Sequence, residues 1–322
     1  RGREPVMSNK GASIWDLGDG VACLEIHTKM NSIDQDVVAM LQEAGKIDKK
    51  GFKALVIGND ADNFSVGANV GLALFAANAA MWPVIENSMS EGQNALMKLK
   101  YAPFPVVAAP AGMALGGGCE IVLSAAAVQA HAESYMGLVE VGVGVIPGFG
   151  GCKELVMRAI LNKKRPGGAM PALAAVFEAI STAKVATSAA EARDMLILRP
   201  EDGISMNRKR VLPDAKKRAL AMVEGYKAPE QVEINLPGPT AAAAFDMAVS
   251  GFVTMGKATA YDAVVSAAVG RVLSGGDTDI TQPVTEKKLL ELEREGFMKL
   301  IHNHKTLDRI EHMLTTGKPL RN

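Results

Sequence analysis

The chain of 322 residues is long enough for one large α/β domain with an appendage, or for two domains. Hydrophobic residues make up 48% and charged residues 22%, a composition that excludes a disordered or fibrous protein. The 35 Lys and Arg residues balance the 35 Asp and Glu residues, so the formal net charge is zero. A nucleic-acid-binding surface needs a basic excess, so we expect no nucleic-acid partner.

The cysteines and the hydropathy of the chain favour a cytoplasmic protein without membrane association. Cys23, Cys119 and Cys152 are odd in number and lack CxxC spacing, as expected of reduced thiols. No stretch approaches the roughly 20 continuous apolar residues of a transmembrane helix. The chain opens with RGREP, without an initiator Met or an apolar signal core. We interpret residues 1–12 as the remnant of a tag or of a linker in a longer polypeptide.

The first elements in chain order are a hairpin, a helix and a buried strand. Two short alternating apolar runs flank Gly18-Asp19-Gly20 and predict a β-hairpin over residues 13–26. Residues 31–46 have apolar residues at helical spacing behind an Asn/Ser start, which predicts a helix. The apolar run over residues 53–58 predicts a buried strand.

A second helix and a second strand follow. Residues 80–99 predict a helix that Pro83 interrupts early. Residues 105–110 predict another buried strand, with Gly and Pro clusters beyond it. Because strands alternate with helices, we expect βαβ units, a mainly parallel sheet and hence an α/β fold.

The character of the chain changes after about residue 160. Residues 162–228 are rich in Ala, with Lys and Arg in helical patterns. The segment 231–240 (QVEINLPGPT) predicts a loop, and residues 241–275 predict helix broken by Gly251 and Gly256.

The block of residues 285–316 is amphipathic. It carries Leu289 and Leu292 on an apolar stripe opposite a charged face, which predicts one or two helices. Such a stripe must pack on the rest of the chain or on a neighbouring subunit. We therefore divide the chain into a catalytic core over residues 13–230 and a helical C-terminal region over residues 231–322 that serves oligomerisation.

Several classes of enzyme lack their signature in this sequence. The candidates for the dinucleotide-binding pattern G-x-G-x-x-G, at Gly18 and Gly142, both fail at the third glycine. No Walker-type G-x-x-x-x-G-K-[ST] and no G-x-S-x-G elbow occur, and the five histidines show no metal-ligand spacing. We therefore expect no cofactor, no bound metal and no serine nucleophile.

The segment 110–120 (PAGMALGGGCE) is the first that indicates a binding or catalytic site. A buried strand is followed by Gly116, Gly117 and Gly118 and then by an apolar helical run, with Glu120 in the first turn. Glycines let a backbone N–H approach a ligand oxygen closely, and a helix N-terminus adds positive partial charge. The alternative is an ordinary strand-to-helix turn in which Glu120 is a favourable first-turn acid.

Two further segments favour the functional interpretation. Residues 63–69 (NFSVGAN) form a loop of small residues that can expose a second backbone N–H. Glu140 lies in an otherwise apolar, glycine-rich run over residues 137–151. It is either a solvent-facing loop residue or a functional carboxylate whose pKa is raised by desolvation. Two glutamates and two exposed backbone N–H groups are the groups needed for proton transfer beside a stabilised oxyanion.

Together these three segments resemble the crotonase (enoyl-CoA hydratase/isomerase) superfamily. The matching text is FSVGAN at 64–69, PAGMALGGGCE at 110–120, and YMGLVE followed by IPGFGG within 135–151. The resemblance covers residues 13–160 and implies a crotonase-like ββα spiral core with a C-terminal helical region. The third segment and the C-terminal TGKPLRN are similar to the hydratase portion of bacterial fused proteins that also carry a 3-hydroxyacyl-CoA dehydrogenase.

The resemblance also implies roles for individual residues. The amides of Ala68 and Gly117 match the family's oxyanion hole, and Glu120 and Glu140 match its first and second catalytic glutamates. The positions implied to bind the CoA thioester are Lys29, Gly67, Ala68 and Gly116. The implied reaction is hydration of a 2-trans-enoyl-CoA in fatty-acid β-oxidation, by a homotrimer or a dimer of trimers. A surface lysine is the alternative interpretation of Lys29.

Two departures and two alternatives accompany the resemblance. Asn69 stands where the family usually has Asp, and Met113 where it commonly has an aromatic residue, which affects the expected substrate range. Isomerases of the superfamily typically keep only the second acid, so the presence of both favours hydration. The alternatives are an enoyl-CoA isomerase and a non-catalytic member that acts as an assembly scaffold or associates with RNA.

Overall fold

The computed structural model of the protein describes residues 4–162 and 168–322. These residues form two compact units, each assembled from separate stretches of the chain. The first unit comprises the chain up to Asn69, residues 91–137 and residues 185–230. The second unit comprises residues 70–90, the described part of 138–184, and residues 231–322.

The strands and helices are numbered in chain order. The strands are β1 Met7–Ser8, β2 Ala12–Asp16, β3 Val21–Ile26, β4 Ala54–Ile57, β5 Val106–Ala108, β6 Met113–Leu115, β7 Ala127–His131, β8 Tyr135–Gly137, β9 Gly203–Ser205, β10 Ile234–Asn235 and β11 Pro283–Val284. The helices are α1 Gln35–Ala44, α2 Val70–Asn78, α3 Trp82–Lys100, α4 Gly117–Ser124, α5 Gly151–Leu161, α6 Ala169–Ser181, α7 Ala189–Asp194, α8 Val211–Val223, α9 Pro239–Thr254, α10 Ala260–Ser274, α11 Glu286–Ile301 and α12 His304–Thr316.

The first unit is built on a mostly parallel sheet. In the described chain this sheet has seven strands in the order β1-β2-β3-β4-β5-β7-β9, and β6 and β8 form a separate parallel pair. The pairs β1–β2 and β2–β3 are antiparallel, whereas the remaining neighbours in the sheet are parallel. This confirms the predicted α/β fold with a mainly parallel sheet.

The β2–β3 hairpin turns at residues 18–20, as predicted. Gly18, Asp19 and Gly20 have φ values of 82°, 59° and 79°. The Asp16 carboxylate accepts a hydrogen bond of 2.7 Å from the Gly18 amide. Two of the three turn positions are therefore glycine, which adopts positive φ without steric cost.

Helix α8 covers one face of the parallel strands. Its Ala215 and Ala219 are fully buried in one core cluster with Val21 of β3, Val56 of β4 and Val107 of β5. Small alanines on the helix let its backbone approach the sheet, while the branched valines fill the space between them. The strands predicted over 53–58 and 105–110 are thus confirmed as core elements.

Two predicted helices differ from the structure at their starts. The helix expected over residues 31–46 begins only at Gln35, because the Asp34 carboxylate caps it by accepting a 2.9 Å hydrogen bond from the Val37 amide. The interruption expected at Pro83 is absent from α3. Pro83 is the second residue of that helix, where the missing N–H would have no intrahelical acceptor.

The second unit is mainly helical, and two details of its prediction were wrong. The loop expected over residues 231–240 contains β10, which pairs with β11, and it ends where α9 begins at Pro239. Gly251 lies inside α9 and does not break it, whereas Gly256, with φ 68°, follows the end of that helix.

The amphipathic C-terminal block forms two helices, α11 and α12, which confirms the predicted helices. The side chain of Thr285 caps α11 by accepting a hydrogen bond of 3.1 Å from the Lys288 amide. Leu289 and Leu292 are 0% and 3% exposed in a single chain. Their apolar stripe is therefore covered within one chain, and polar substitution there would unfold the unit rather than test its assembly.

The remaining structural predictions concern cysteines, membranes and domain boundaries. Cys23, Cys119 and Cys152 are buried, and no disulfide joins them. None of the helices among the described residues is long and apolar enough to cross a membrane. The boundary at residue 230, the role of residues 231–322 in oligomerisation and the origin of residues 1–12 stay predictions. Within 1–12, residues 1–3 lie outside the described chain and Met7–Ser8 pair with β2.

Candidate functional site

The segment of residues 63–69, here called the Ala68 loop, lies alongside β6 in the first unit. The Ser65 amide donates a 3.0 Å hydrogen bond to the Met113 carbonyl, and the Leu115 amide donates one of 2.9 Å to the Ser65 carbonyl. The side-chain oxygen of Asn63 accepts a further 3.0 Å bond from the Met113 amide. The Ala68 loop is therefore held by β6 in the manner of an added strand.

Ala68 itself is bridged on its other side by Ile33. The Ile33 amide donates to the Gly67 carbonyl at 2.8 Å, and the Asn69 amide donates to the Ile33 carbonyl at 2.9 Å. In such a parallel bridge the residue between the two bonded neighbours directs its own N–H away from the partner. Within the described chain no group accepts a hydrogen bond from the Ala68 N–H. This amide can therefore bind a ligand oxygen.

Gly67 brings the Ala68 loop against the start of α4. Its φ is 98°, and a Cβ atom added to it would lie 3.0 Å from the Leu115 carbonyl oxygen and 3.3 Å from the Gly117 amide nitrogen. Glycine alone fits both the backbone conformation and the approach. The peptide that carries the Ala68 N–H and the amide of Gly117 are therefore neighbours.

Gly117 is the first residue of α4, and Gly116 is the residue that precedes the helix. Gly116 has φ 53° and ψ −126°, and its amide donates a 2.9 Å hydrogen bond to the Gly137 carbonyl of β8. The first amides of a helix have no intrahelical acceptor, and no acceptor for the Gly117 N–H exists among the described residues. The helix N-terminus adds positive partial charge at this point. The amides of Ala68 and Gly117 thus lie on adjacent segments, and we call this pair of donors the amide corner.

Glu120 lies one turn inside α4. Its amide donates to the Gly116 carbonyl at 3.0 Å, and its side chain is only 2% exposed. Gly118 seats the helix against the Ala68 loop, since an added Cβ would come within 2.5 Å of the Ser65 carbonyl oxygen. Its burial and its place one turn after Gly117 make Glu120 a candidate for proton transfer.

Glu140 belongs to the second unit, whereas the other predicted site residues belong to the first. It is half-buried and begins a 3₁₀ turn, Glu140–Val143, which Gly144 ends with φ 83°. We call residues 140–144 the Glu140 turn. The Glu140 carbonyl accepts a 3.3 Å hydrogen bond from the Val145 amide, which closes the turn.

Lys29 is exposed in another 3₁₀ turn, Lys29–Asn31. The neighbouring Asn31 is 6% exposed, and its side-chain amide donates a 2.8 Å hydrogen bond to the Asn63 carbonyl. Because Asn31 and Ile33 both bind the Ala68 loop, the segment that carries Lys29 runs beside it. This position is compatible with the implied contact between Lys29 and a CoA thioester, which stays a prediction.

Asn31, Asn63 and Ser65 support the amide corner but are not among the site residues predicted from the sequence. Asn31 has φ 52°, and asparagine is one of the few non-glycine residues that tolerate this region. The signal at Asn63 and Ser65 is too weak to find them, because their partners lie about 50 residues away and come together only in the folded sheet.

A family comparison covers the segment that carries these residues. Residues 16–167 match the family described as enoyl-CoA hydratase/isomerase. They include Ala68, Gly117, Glu120 and Glu140. Residues 16–167 therefore belong to the crotonase superfamily. This confirms the resemblance inferred from the sequence.

One curated relative of this chain is a longer protein. The chain is 41% identical over 318 residues to a Bacillus subtilis (strain 168) protein named "Probable 3-hydroxyacyl-CoA dehydrogenase". The match covers 98% of this chain and 40% of the relative. The chain therefore spans less than half the length of that relative.

Solved structures confirm the crotonase fold. An enoyl-CoA hydratase/isomerase from Mycobacterium paratuberculosis superposes with a TM-score of 0.63 at 15% identity, covering 94% of this chain and 98% of that structure. The enoyl-CoA hydratase from Bacillus halodurans gives a TM-score of 0.63 at 15% identity, covering 94% of this chain and 99% of that structure. At such low identity the likeness concerns the fold alone.

Proposed function

We propose that the chain is an enoyl-CoA hydratase that adds water in a syn manner to a 2-trans-enoyl-CoA thioester, giving a 3-hydroxyacyl-CoA. The observation that carries the proposal is that the amides of Ala68 and Gly117, on adjacent segments, have no acceptor among the described residues, with the buried Glu120 one turn further along α4. Membership of residues 16–167 in the crotonase superfamily supports the same chemistry.

The amide pair would stabilise the negative charge that develops during the reaction. When water attacks C3 of an enoyl thioester, negative charge accumulates on the thioester oxygen and must be stabilised. Two fixed N–H donors, one of them at a helix N-terminus, stabilise such charge without reorganising, and removing one donor typically costs roughly 3–4 kcal/mol. In this proposal the Ala68 and Gly117 amides bind the thioester oxygen.

The two glutamates then divide the proton transfers. Glu120 holds the attacking water and removes its proton as oxygen bonds to C3, and Glu140 delivers a proton to C2. Isomerisation needs a single acid that moves one proton between C2 and C4, so the presence of both glutamates favours hydration.

We also propose that the chain is the hydratase portion of a longer protein that carries a 3-hydroxyacyl-CoA dehydrogenase. The name of the Bacillus subtilis relative and the 40% of its length that this chain spans support this. The hydration product has the hydroxyl group that such a dehydrogenase oxidises. Water addition changes no oxidation state overall, so the proposed step needs no redox cofactor. Assembly as a homotrimer or a dimer of trimers, and the contact of Lys29 with CoA, belong to the same proposal.

A spectrophotometric assay tests the proposed function. The purified chain, mixed with crotonyl-CoA, should remove the absorbance of the conjugated 2-enoyl thioester and yield a product heavier by one water in mass spectrometry. A parallel reaction with a 3-enoyl-CoA identifies an isomerase, because the conjugated absorbance would then increase. A chain that leaves both thioesters unchanged contradicts the proposal and favours the non-catalytic alternative.

A further inference from the structure

The Glu140 turn is fixed in the second unit by a side chain from the C-terminal helix α12. The Thr306 hydroxyl donates a 2.7 Å hydrogen bond to the Gly144 carbonyl, and the Tyr261 hydroxyl lies 2.6 Å from the same Thr306 oxygen. Thr306 is 0% and Tyr261 3% exposed. Thr306, 162 positions from Gly144 in the sequence, therefore binds the turn that begins with Glu140, and Tyr261 contacts Thr306.

The direction of this hydrogen-bond chain follows from the groups themselves. A carbonyl oxygen can only accept, so the single Thr306 proton points to Gly144. The Tyr261 hydroxyl must then donate to Thr306. Burial raises the pKa of the Tyr261 phenol, so this donor stays protonated at neutral pH.

Close packing leaves the turn little freedom beside this hydrogen bond. Gly144 has φ 83°, and a Cβ atom on it would lie 3.0 Å from Thr306 Oγ1 and 3.1 Å from Arg309 Cδ. Arg309 is held in turn by a 2.9 Å ion pair with Asp262 and lies with its guanidinium carbon 5.0 Å from the centre of the Tyr261 ring. Helices α10 and α12 thus present Tyr261 and Thr306 in fixed positions.

Only one turn of backbone separates the bound carbonyl of Gly144 from Glu140. The Gly144 amide donates to the Val141 carbonyl at 3.1 Å, and the Val145 amide donates to the Glu140 carbonyl at 3.3 Å. A single 3₁₀ turn has poor hydrogen-bond geometry and little stability of its own. Its position must therefore come from tertiary contacts such as the one with Thr306.

We propose that Thr306 and Tyr261 are positioning residues for Glu140. They touch neither substrate nor reacting atoms, but they set where the Glu140 carboxyl is presented. This inference rests on the proposed function of Glu140 as the acid that delivers a proton to C2. A small displacement of a catalytic group reduces turnover without weakening substrate binding, and that pattern distinguishes positioning from general loss of structure.

The test compares Thr306→Val, which keeps the shape and removes the hydroxyl, with Thr306→Ser, which keeps the hydroxyl. We expect Thr306→Val to lower kcat for crotonyl-CoA hydration about tenfold at unchanged KM, the scale set by losing a buried hydrogen bond that orients a catalytic group. Thr306→Ser should stay within about twofold of the wild type. Tyr261→Phe provides a second variant, with a smaller loss of kcat, if Thr306→Val fails to fold.

Two further measurements separate this inference from the proposed function. In a Glu140→Gln background Thr306→Val should cause no additional loss of kcat, because both act on the same group. Hydrogen exchange of the peptide covering residues 139–145 should be faster in Thr306→Val and normal in Thr306→Ser. Normal exchange in Thr306→Val overturns the inference. So do equal losses of kcat in Thr306→Val and Thr306→Ser that add to the loss caused by Glu140→Gln. If the wild-type chain has no hydratase activity but Thr306→Val still exchanges faster, Thr306 still positions the Glu140 turn, and only the proposed function is refuted.

Discussion

The amide corner of the first unit and the Glu140 turn of the second unit are held by different kinds of contact. At the amide corner, backbone hydrogen bonds join Ile33, Ser65 and Gly116 to their neighbouring segments, and the side chains of Asn31 and Asn63 add one bond each. At the Glu140 turn, the side chain of Thr306 supplies a tertiary hydrogen bond. A site held mainly by backbone bonds should tolerate many side-chain changes and fail where a glycine is lost, whereas a turn held by a side chain should respond to the loss of a single hydroxyl.

The largest effect should follow from a side chain at Gly117. A valine there would displace the N–H at the start of α4 and crowd the thioester. We expect Gly117→Val to lower kcat/KM for crotonyl-CoA by about 10³-fold, the upper scale for removing an oxyanion donor, with unchanged helix content by circular dichroism. Gly251→Val is the control, because nothing lies within 4 Å of the added Cβ in α9. Persisting turnover with unchanged KM would show that Gly117 does not bind the oxyanion.

A smaller effect should follow from Gly67→Ala, which acts on the other donor. The added methyl group would meet the Leu115 carbonyl at 3.0 Å in a backbone conformation that alanine disfavours. The strain should shift the Ala68 N–H and lower kcat about 10²-fold, the usual result of a displacement near 1 Å. Steady-state kinetics beside the Gly251→Val control measures this. If Gly67→Ala lost stability but kept wild-type kcat, the backbone would not be what holds the Ala68 donor.

The smallest effect concerns the pH dependence of stability in the second unit. Because burial raises the pKa of Tyr261 above its ordinary value of 10.0, the folded state favours the protonated phenol. Its contribution to stability is complete below the unfolded pKa and is lost as the pH rises through the folded pKa. Tyr261→Phe should therefore lower Tm at neutral pH and reduce the fall in Tm between about pH 9 and about pH 11. The exposed Tyr135→Phe is the control, and an equal alkaline fall in both variants would contradict the role of Tyr261.

The same contrast explains how much the sequence predicted. The Gly-rich segment before Glu120 and the loop before Ala68 are local patterns, so the amide corner and the parallel sheet could be anticipated. The cap of α1, Asp34, could not be predicted, because several polar residues precede that helix and only the folded backbone shows which of them caps it. Thr306 could not be found at all, because its hydrogen bond to Gly144 joins residues 162 positions apart.

The central claim is that Glu120, beside the amide corner, activates water for addition to a 2-enoyl thioester. The most direct test is the initial rate of crotonyl-CoA hydration by Glu120→Gln, with the exposed Glu133→Gln as the matched control and Glu140→Gln measured in parallel. Glu120→Gln and Glu140→Gln should each fold normally and lose at least about 100-fold in kcat, the usual scale for a positioned acid or base, while Glu133→Gln keeps the wild-type rate. A near-wild-type hydration rate in Glu120→Gln would contradict the account, and retained isomerisation of a 3-enoyl-CoA by that variant would identify the enzyme as an isomerase.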